Sequence, residues 1–209
     1  MFAPVDLVVP AYKNGLIFAK YQSMKRQYKK ADLPVSKIRS YLEPGPIVLV
    51  SSAWQGKNNI MTMGWHTVME FSPSLIGCII AESNHSFKMI RQSGECVINI
   101  PTADMIGKVI GIGNTHGVKT DKFKKFELTA EKAQFVKAPM IRECYANFEC
   151  RIKDMHLLSR YNFFILEVIA ARVATWPRYP KTVHYRGEGI FMISGKHVAF
   201  PGKFKRRNL

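Results

Sequence analysis

Two short stretches of this chain carry polar and aromatic side chains at spacings that suit ligand binding. The first, Asn59-Ile-Met61-Thr62-Met63-Gly64-Trp65-His66-Thr67, follows an apolar strand and a glycine-containing turn. The second, Ser83-Asn84-His85-Ser86, precedes Phe87-Lys88-Met89-Ile90 at the expected start of a helix. Extended backbone offers its own N–H and C=O groups to the polar edge of a flat ring. Asn59 and Thr62 add short side-chain hydrogen bonds, Gly64 permits close approach of the backbone, and Trp65 brings a flat surface able to cover a ring. A helix start supplies free N–H donors and the positive end of a dipole, which together suit a phosphate. Each stretch alone also has a plainer reading. The first reads as an amphipathic edge strand with a buried Trp, the second as an ordinary helix cap.

A flavin presents N3–H, O2, O4 and N5 along one ring edge, a pattern the first stretch can answer. Flavin mononucleotide (FMN) adds a phosphate that the second can hold, with Ser86, His85 and Lys88 completing the site. His66 either polarises a ligand or satisfies a core contact. Gly111-Ile-Gly113-Asn-Thr-His-Gly117 superficially looks like a glycine-rich nucleotide loop. It follows a helix instead of joining a strand to one, so it reads as a helix stop and flexible turn. It leads to Lys119-Thr-Asp121-Lys122-Phe123, two lysines on a loop that either neutralise flavin charge or form a solvated cluster. No Ser-His-Asp order, paired-carboxylate pattern or metal-binding helix stands out, and the six histidines are scattered. Chemistry here is therefore expected to rest on a cofactor.

The elements that must position these residues are mostly strands. Apolar, β-branched and aromatic runs at 47–50, 59–68, 75–80, 96–100, 145–152, 163–173 and 189–193 predict strands. Two short helices are expected, at 86–92 ending at Gly94 and at 103–110 ending in the Gly111-Ile-Gly113 stop. Many strands without regular βαβ alternation predict a mainly β fold, a barrel or sandwich with few helices. Residues 1–43 form an N-terminal extension, with a basic amphipathic helix expected over 16–31. Residues 44–200 form the main domain, and 201–209 a basic tail.

At 209 residues the chain is long enough for one well-buried core, and 47% hydrophobic with 22% charged residues is ordinary globular composition. No apolar run approaches a membrane span, and residues 2–9 lack the basic flank of an export signal. Cys78, Cys96, Cys144 and Cys150 form no Cys-x-x-Cys pair, so reduced thiols in a cytoplasmic protein are expected. Lysine and arginine number 31 against 15 aspartate and glutamate, a net charge of +16. Such a field attracts nucleotide phosphates, acidic protein partners or nucleic acid.

Read in order, these pieces resemble the flavin reductase-like, FMN-binding split-barrel family, in its flavoredoxin-type branch. The resemblance runs from about Pro44 to about Val173. It rests on Pro46-Ile-Val-Leu-Val50, Asn59 to Thr67, Ser72-Pro73 and Ser83 to Ile90. Glu95-Cys-Val-Ile-Asn99-Ile-Pro101, Asp121-Lys122-Phe123, Ala138-Pro139, Glu149-Cys150 and Glu167-Val168 continue it. It implies a Greek-key split β-barrel that forms a homodimer, with FMN near the subunit interface. The cofactor-binding residues it implies are Asn59, Met61, Thr62, Met63, Gly64, Trp65, Ser83, Asn84, His85, Ser86, Lys122 and Tyr161. Tyr161 stands where such proteins carry a His, so that contact loses its cationic form. The implied activity is an FMN-dependent oxidoreductase fed by NAD(P)H or by an acidic electron-carrier protein, without nucleic acid or membrane. Two readings compete with it. One is a basic barrel that binds single-stranded nucleic acid through Tyr145, Phe148, Arg151 and Lys153 on exposed strands. The other is a non-catalytic flavin carrier.

Overall fold

The computed structural model describes residues 27–42, 44–200 and 203. The chain forms β1 (Lys30–Asp32) and the one-turn helix α1 (Arg39–Leu42), then β2 (Val48–Trp54), β3 (Lys57–Met63), β4 (His66–Phe71) and β5 (Ser74–Ile79). Helix α2 (His85–Ser93) and β6 (Glu95–Ile100) follow, then α3 (Ile106–Gly113), α4 (Lys122–Lys125) and the short pair β7 (Ala130–Glu131) and β8 (Met140–Ile141). The chain continues through β9 (Ala146–Asp154), α5 (Leu158–Tyr161) and β10 (Phe163–Ala174), and the hairpin β11 (Val183–Gly187) and β12 (Ile190–Ile193) comes last.

Eight strands form one sheet in the order β3-β2-β6-β9-β10-β5-β4, with β1 added on β10, and every pairing is antiparallel. The first and last strands of that path, β3 and β4, are consecutive in sequence. Only Gly64 and Trp65 separate them, a link that reaches about 11 Å at full extension. The two edges of the sheet therefore meet at that corner, and the sheet has to curl into a barrel. The barrel interior holds Val50, Met61, Ile76, Ile98, Phe148, Phe164 and Leu166, contributed by alternate positions of successive strands. A second cluster, containing Leu49, Ile60, Val109, Ile112 and Phe123, seats α3 and α4 against the outer face of β2 and β3.

Asn99 sits where the sheet meets the β7–β8 segment. Its Nδ2 donates to Leu49 O, Ser51 Oγ and Val97 O, and its Oδ1 accepts from Ile141 N and Asn147 Nδ2. Full burial of this amide is tolerated because its donors and acceptor all have partners.

The expected strands at 75–80, 96–100, 145–152, 163–173 and 189–193 correspond to β5, β6, β9, β10 and β12. The stretch expected as one strand over 59–68 instead breaks at Gly64-Trp65. A Cβ at Gly64 would stand only 3.0 Å from Ile47 Cδ1, so glycine suits this tight corner. Of the expected 16–31 helix, residues 16–26 lie outside the described residues. Lys30 and Ala31 are in β1 because the last turn of β10 has an open edge there, pairing Lys30 with Ala174. Ile38 and Leu42 are buried in the barrel core, and Leu33, Val35 and Tyr41 pack against it. Residues 33–42 thus share the core of the main domain. In the basic tail, only Lys203 is among the described residues. All four cysteines are buried free thiols, and burial pushes those of Cys78 and Cys150 well above the usual range.

Candidate functional site

Asn59 and Ser86 meet where β3 passes the first turn of α2. Asn84 caps that helix: its side chain accepts from Ser86 N at 3.0 Å. The cap fixes Ser86, which is fully buried, and Ser86 Oγ accepts from Asn59 Nδ2 at 2.8 Å. Asn59 is 2% exposed, and its Oδ1 has no partner. A buried, unpaired carbonyl is a costly arrangement, so this acceptor marks a place where a ligand donor is missing.

A cleft of about 350 Å³ opens on this point. Asn59, Met61 and Thr62 line it from β3, and Ala81, Ser83, Asn84 and His85 from the approach to α2. The opposite wall is the end of α3 and the loop after it, from Ile112 to Gly117, and Lys122 completes the lining. Thr62 Oγ1 donates to Val109 O at 2.7 Å, which ties β3 to α3. A hollow of about 490 Å³ beside the β2–β3 turn is larger, but its lining of Trp54, Gly56, Glu95 and Lys137 gathers none of the motif residues.

Lys122 is the cation of the cleft. It is 4% exposed, and its Nζ donates to Ile60 O at 2.8 Å and to Ile112 O at 3.1 Å. Burial, and then the neighbouring Lys125, lower its pKa to about 8. The two carbonyls hold the charged form in place, and the C-terminal end of α3 is itself the negative end of a dipole. The lysine is therefore a fixed, buried ammonium, in contrast to the solvated loop charge that its sequence context suggests. Asp121 caps α4 by accepting from Lys124 N, which starts the helix that aims Lys122 inward.

The remaining expected residues divide. Asn59, Met61, Thr62, Ser83, Asn84, His85 and Lys122 line one cleft. Ser86 lies behind it and acts by holding Asn59. Met63 is buried in the barrel core, and Gly64 forms the corner. Trp65 is 72% exposed, which corrects the expectation of a buried Trp, and neither it nor Tyr161, 54% exposed, lines the cleft of its own chain. His66 Nε2 donates to Pro46 O at 2.8 Å, and burial lowers its pKa, so it serves a structural contact.

The loop after α3 is the part that sequence reasoning set aside. Helix α3 runs through Gly111 to Gly113 and does not stop at 110. Gly111 is glycine because a Cβ there would overlap the Phe126 ring. Thr115 Oγ1 closes the helix end on Gly111 O. A Cβ at Gly117 would overlap the Asn59 carboxamide, so this glycine lets the loop touch the site. A glycine followed at six residues by a second, with Asn, Thr and His between, was the signal available. That spacing matches no nucleotide-loop pattern, because it follows a helix instead of joining a strand to one.

The competing nucleic-acid pattern is broken, because its basic residues Arg151 and Lys153 are exposed and its aromatic residues are not. Phe148 is fully buried and Tyr145 is 4% exposed, while Arg151 donates to Phe135 O and Lys153 pairs with Glu167. Among the described residues no cluster of His, Cys, Asp and Glu could hold a metal, and no helix is long and apolar enough to cross a membrane.

Comparison with known proteins agrees with this geometry. Residues 40–189 match the family described as flavin reductase like domain. A relative from Archaeoglobus fulgidus is 34% identical over 129 residues, 62% of this chain and 72% of that one. Among solved structures, the FMN-binding domain of a flavin reductases-like enzyme from Shewanella baltica superposes with a TM-score of 0.78. It is 23% identical, and the match covers 84% of this chain and 99% of that one. Flavoredoxin of Desulfovibrio vulgaris superposes with a TM-score of 0.68 at 21% identity, over 75% of this chain and 90% of its own. The curled antiparallel sheet is thus the split barrel expected from the sequence.

Proposed function

Because the chain belongs to the flavin reductase-like domain family, we propose that the cleft between β3, α2 and α3 holds FMN and that the protein passes electrons through it. The observation that carries this reading is the unpaired, buried Oδ1 of Asn59, a residue of the wall of a cleft that is also lined by a helix start and a buried lysine. The residues fit the group. Asn59, Thr62 and the β3 backbone would meet the ring edge, Ser83, Asn84 and His85 would take the phosphate, and Lys122 would supply positive charge. When bound, FMN supplies a ring that accepts an electron pair and returns it. The ammonium of Lys122 favours whatever state of the site carries more negative charge, without any rearrangement of its own. The net charge of +16 favours an electron donor that is itself anionic, either NAD(P)H or an acidic carrier protein.

FMN added to the purified chain is expected to show a shifted absorbance spectrum and quenched fluorescence. A spectrum identical to that of free FMN, with no bound flavin on the protein, would sink the reading. Gly117→Ala is expected to weaken binding by about tenfold, the equivalent of roughly 1.4 kcal/mol, since its methyl group displaces either the loop or the Asn59 amide. Unchanged affinity would show that the loop does not close the site.

We also propose that two copies pair through the outer face of β4 and β5. Trp65, Met69 and Ile79 are exposed there, and Tyr161 lies two residues before Phe163, the register partner of Ile79. Side chains absent from their own chain's cleft would then face the partner copy. Ile79→Glu is expected to convert a dimer into monomers, read by light scattering. A parent protein that is already monomeric at micromolar concentration would overturn this.

A further inference from the structure

The outer part of the cleft holds two histidines, one of them unforeseen. His85 opens α2 and is half-buried, and His116 lies in the loop after α3. Their ring centres are 6.2 Å apart, close enough for one nitrogen of each to reach oxygens of a single phosphate. Both line the cleft with Asn59 and its unpaired Oδ1. His116 Nδ1 accepts from Val118 N at 3.4 Å. With Nδ1 accepting, the Nε2 of that ring is left as a donor. Lysines face His85 from each element packed against it, Lys57 from β3, Lys88 from its own helix and Lys122 from α4, and His116 faces it from the loop. Glu82, in the turn before the helix, is exposed. Burial first, then His116 and the lysines, hold the His85 imidazole below the ordinary histidine value, so it is neutral at pH 7 without a bound anion.

We propose that His85 is a proton-linked anchor for the flavin phosphate, with His116 as an Nε2–H donor beside it. This rests on the FMN reading above. A phosphate dianion reverses the balance of charge around His85, and the imidazole takes up one proton from solvent as the phosphate binds. No bond forms or breaks in this step. Affinity for FMN then rises as pH falls through the neutral range, with a ceiling of about tenfold per pH unit for one linked proton. Below about pH 6 the phosphate regains its own second proton and the gain stops. Riboflavin, which has the ring but no phosphate, gains nothing.

The test is titration of FMN and of riboflavin by fluorescence quenching at pH 6.5 and 7.5, on the full chain and on His85→Gln and His116→Gln. The parent is expected to bind FMN about three- to tenfold more tightly at pH 6.5 than at 7.5, with riboflavin unchanged. His85→Gln should bind FMN more weakly and with a flat pH profile. His116→Gln should weaken FMN at both pH values and keep the slope. Riboflavin affinity equal to that of the parent shows that each variant retains the folded cleft. A slope that survives in His85→Gln, or that appears equally with riboflavin, overturns the proposal while leaving the FMN site standing. Failure of the parent to bind either flavin removes the site itself, and the anchor with it.

Discussion

Lys122→Met is expected to weaken FMN binding by about tenfold or more at pH 7, because a charge-assisted contact is worth about 1.5–3 kcal/mol. Methionine occupies a similar channel between β3 and α3 without a charge. It takes the ammonium donor from the Ile60 and Ile112 carbonyls, at about 1–3 kcal/mol for a group left unsatisfied, but also relieves a desolvated charge. The melting temperature should therefore fall by no more than about 10 °C, at roughly 2–4 °C per kcal/mol. The pH dependence is the sharper signature. Below about pH 8 the lysine is charged with and without ligand, so it adds no pH dependence of its own to the affinity there. A bound anion raises the pKa of the ammonium, so between about 8 and that raised value binding requires proton uptake and weakens as pH rises. Stability of the ligand-free protein runs the other way. The folded pKa lies below the ordinary value of 10.5, so the folded state loses its proton first and gains stability as pH climbs from about 8 towards 10.5. Titration of FMN from pH 7 to 10, with thermal melts of the ligand-free protein over the same range, checks both signs. An affinity profile in Lys122→Met that still matches the parent above pH 8 would show that another group carries the effect.

Asn99→Ala should have the opposite profile, a large loss of stability with the cleft intact. The substitution removes the acceptor of Ile141 N and Asn147 Nδ2 and the donor to Leu49 O, Ser51 Oγ and Val97 O, all at a fully buried position. Each buried polar group left without a partner costs about 1–3 kcal/mol, and the missing side chain leaves a small void. A loss of about 4 kcal/mol corresponds to a fall in melting temperature of roughly 10 °C for a chain of this size. FMN affinity measured well below the transition should match that of the parent, because Asn99 is not among the residues lining the cleft. A variant that melts within about 3 °C of the parent would show that β2, β6, β8 and β9 are held together by other means.

Together these two substitutions separate the parts of the molecule that bind from the parts that hold the binding elements in register. Lys122 and Asn59 are buried like core residues but aimed at a cleft. Asn99, Asn147 and Ser51 are buried and bonded only to protein. Asn59 and Asn99 are the same in type and burial, and the difference lies in whether every polar atom finds a partner within the chain. Asn59 Oδ1 does not.

Strand content and the α2 cap were legible in the sequence, because each depends on neighbours within a few residues. The meeting of the 59–67 stretch with a helix start was implied only by the resemblance. β-branched runs favour extended backbone, and Asn84 followed by Ser86 and ended by Gly94 bounds a helix by local hydrogen bonding and a left-handed C-cap. The order of motifs was also enough to identify the family. Three things were decided only by tertiary structure. Trp65 became a corner residue because β3 and β4 lie at opposite ends of the sheet path, so the chain must turn where local pattern predicts a continuous strand. Lys122 became a buried ammonium because two carbonyls from distant elements, Ile60 and Ile112, converge on it. Gly117 and His116 became part of the site because the loop after α3 folds back onto Asn59, a contact between residues far apart in sequence. Local sequence sets backbone propensity and capping; which polar groups share one cleft depends on sheet closure and long-range packing, which no short window of residues contains.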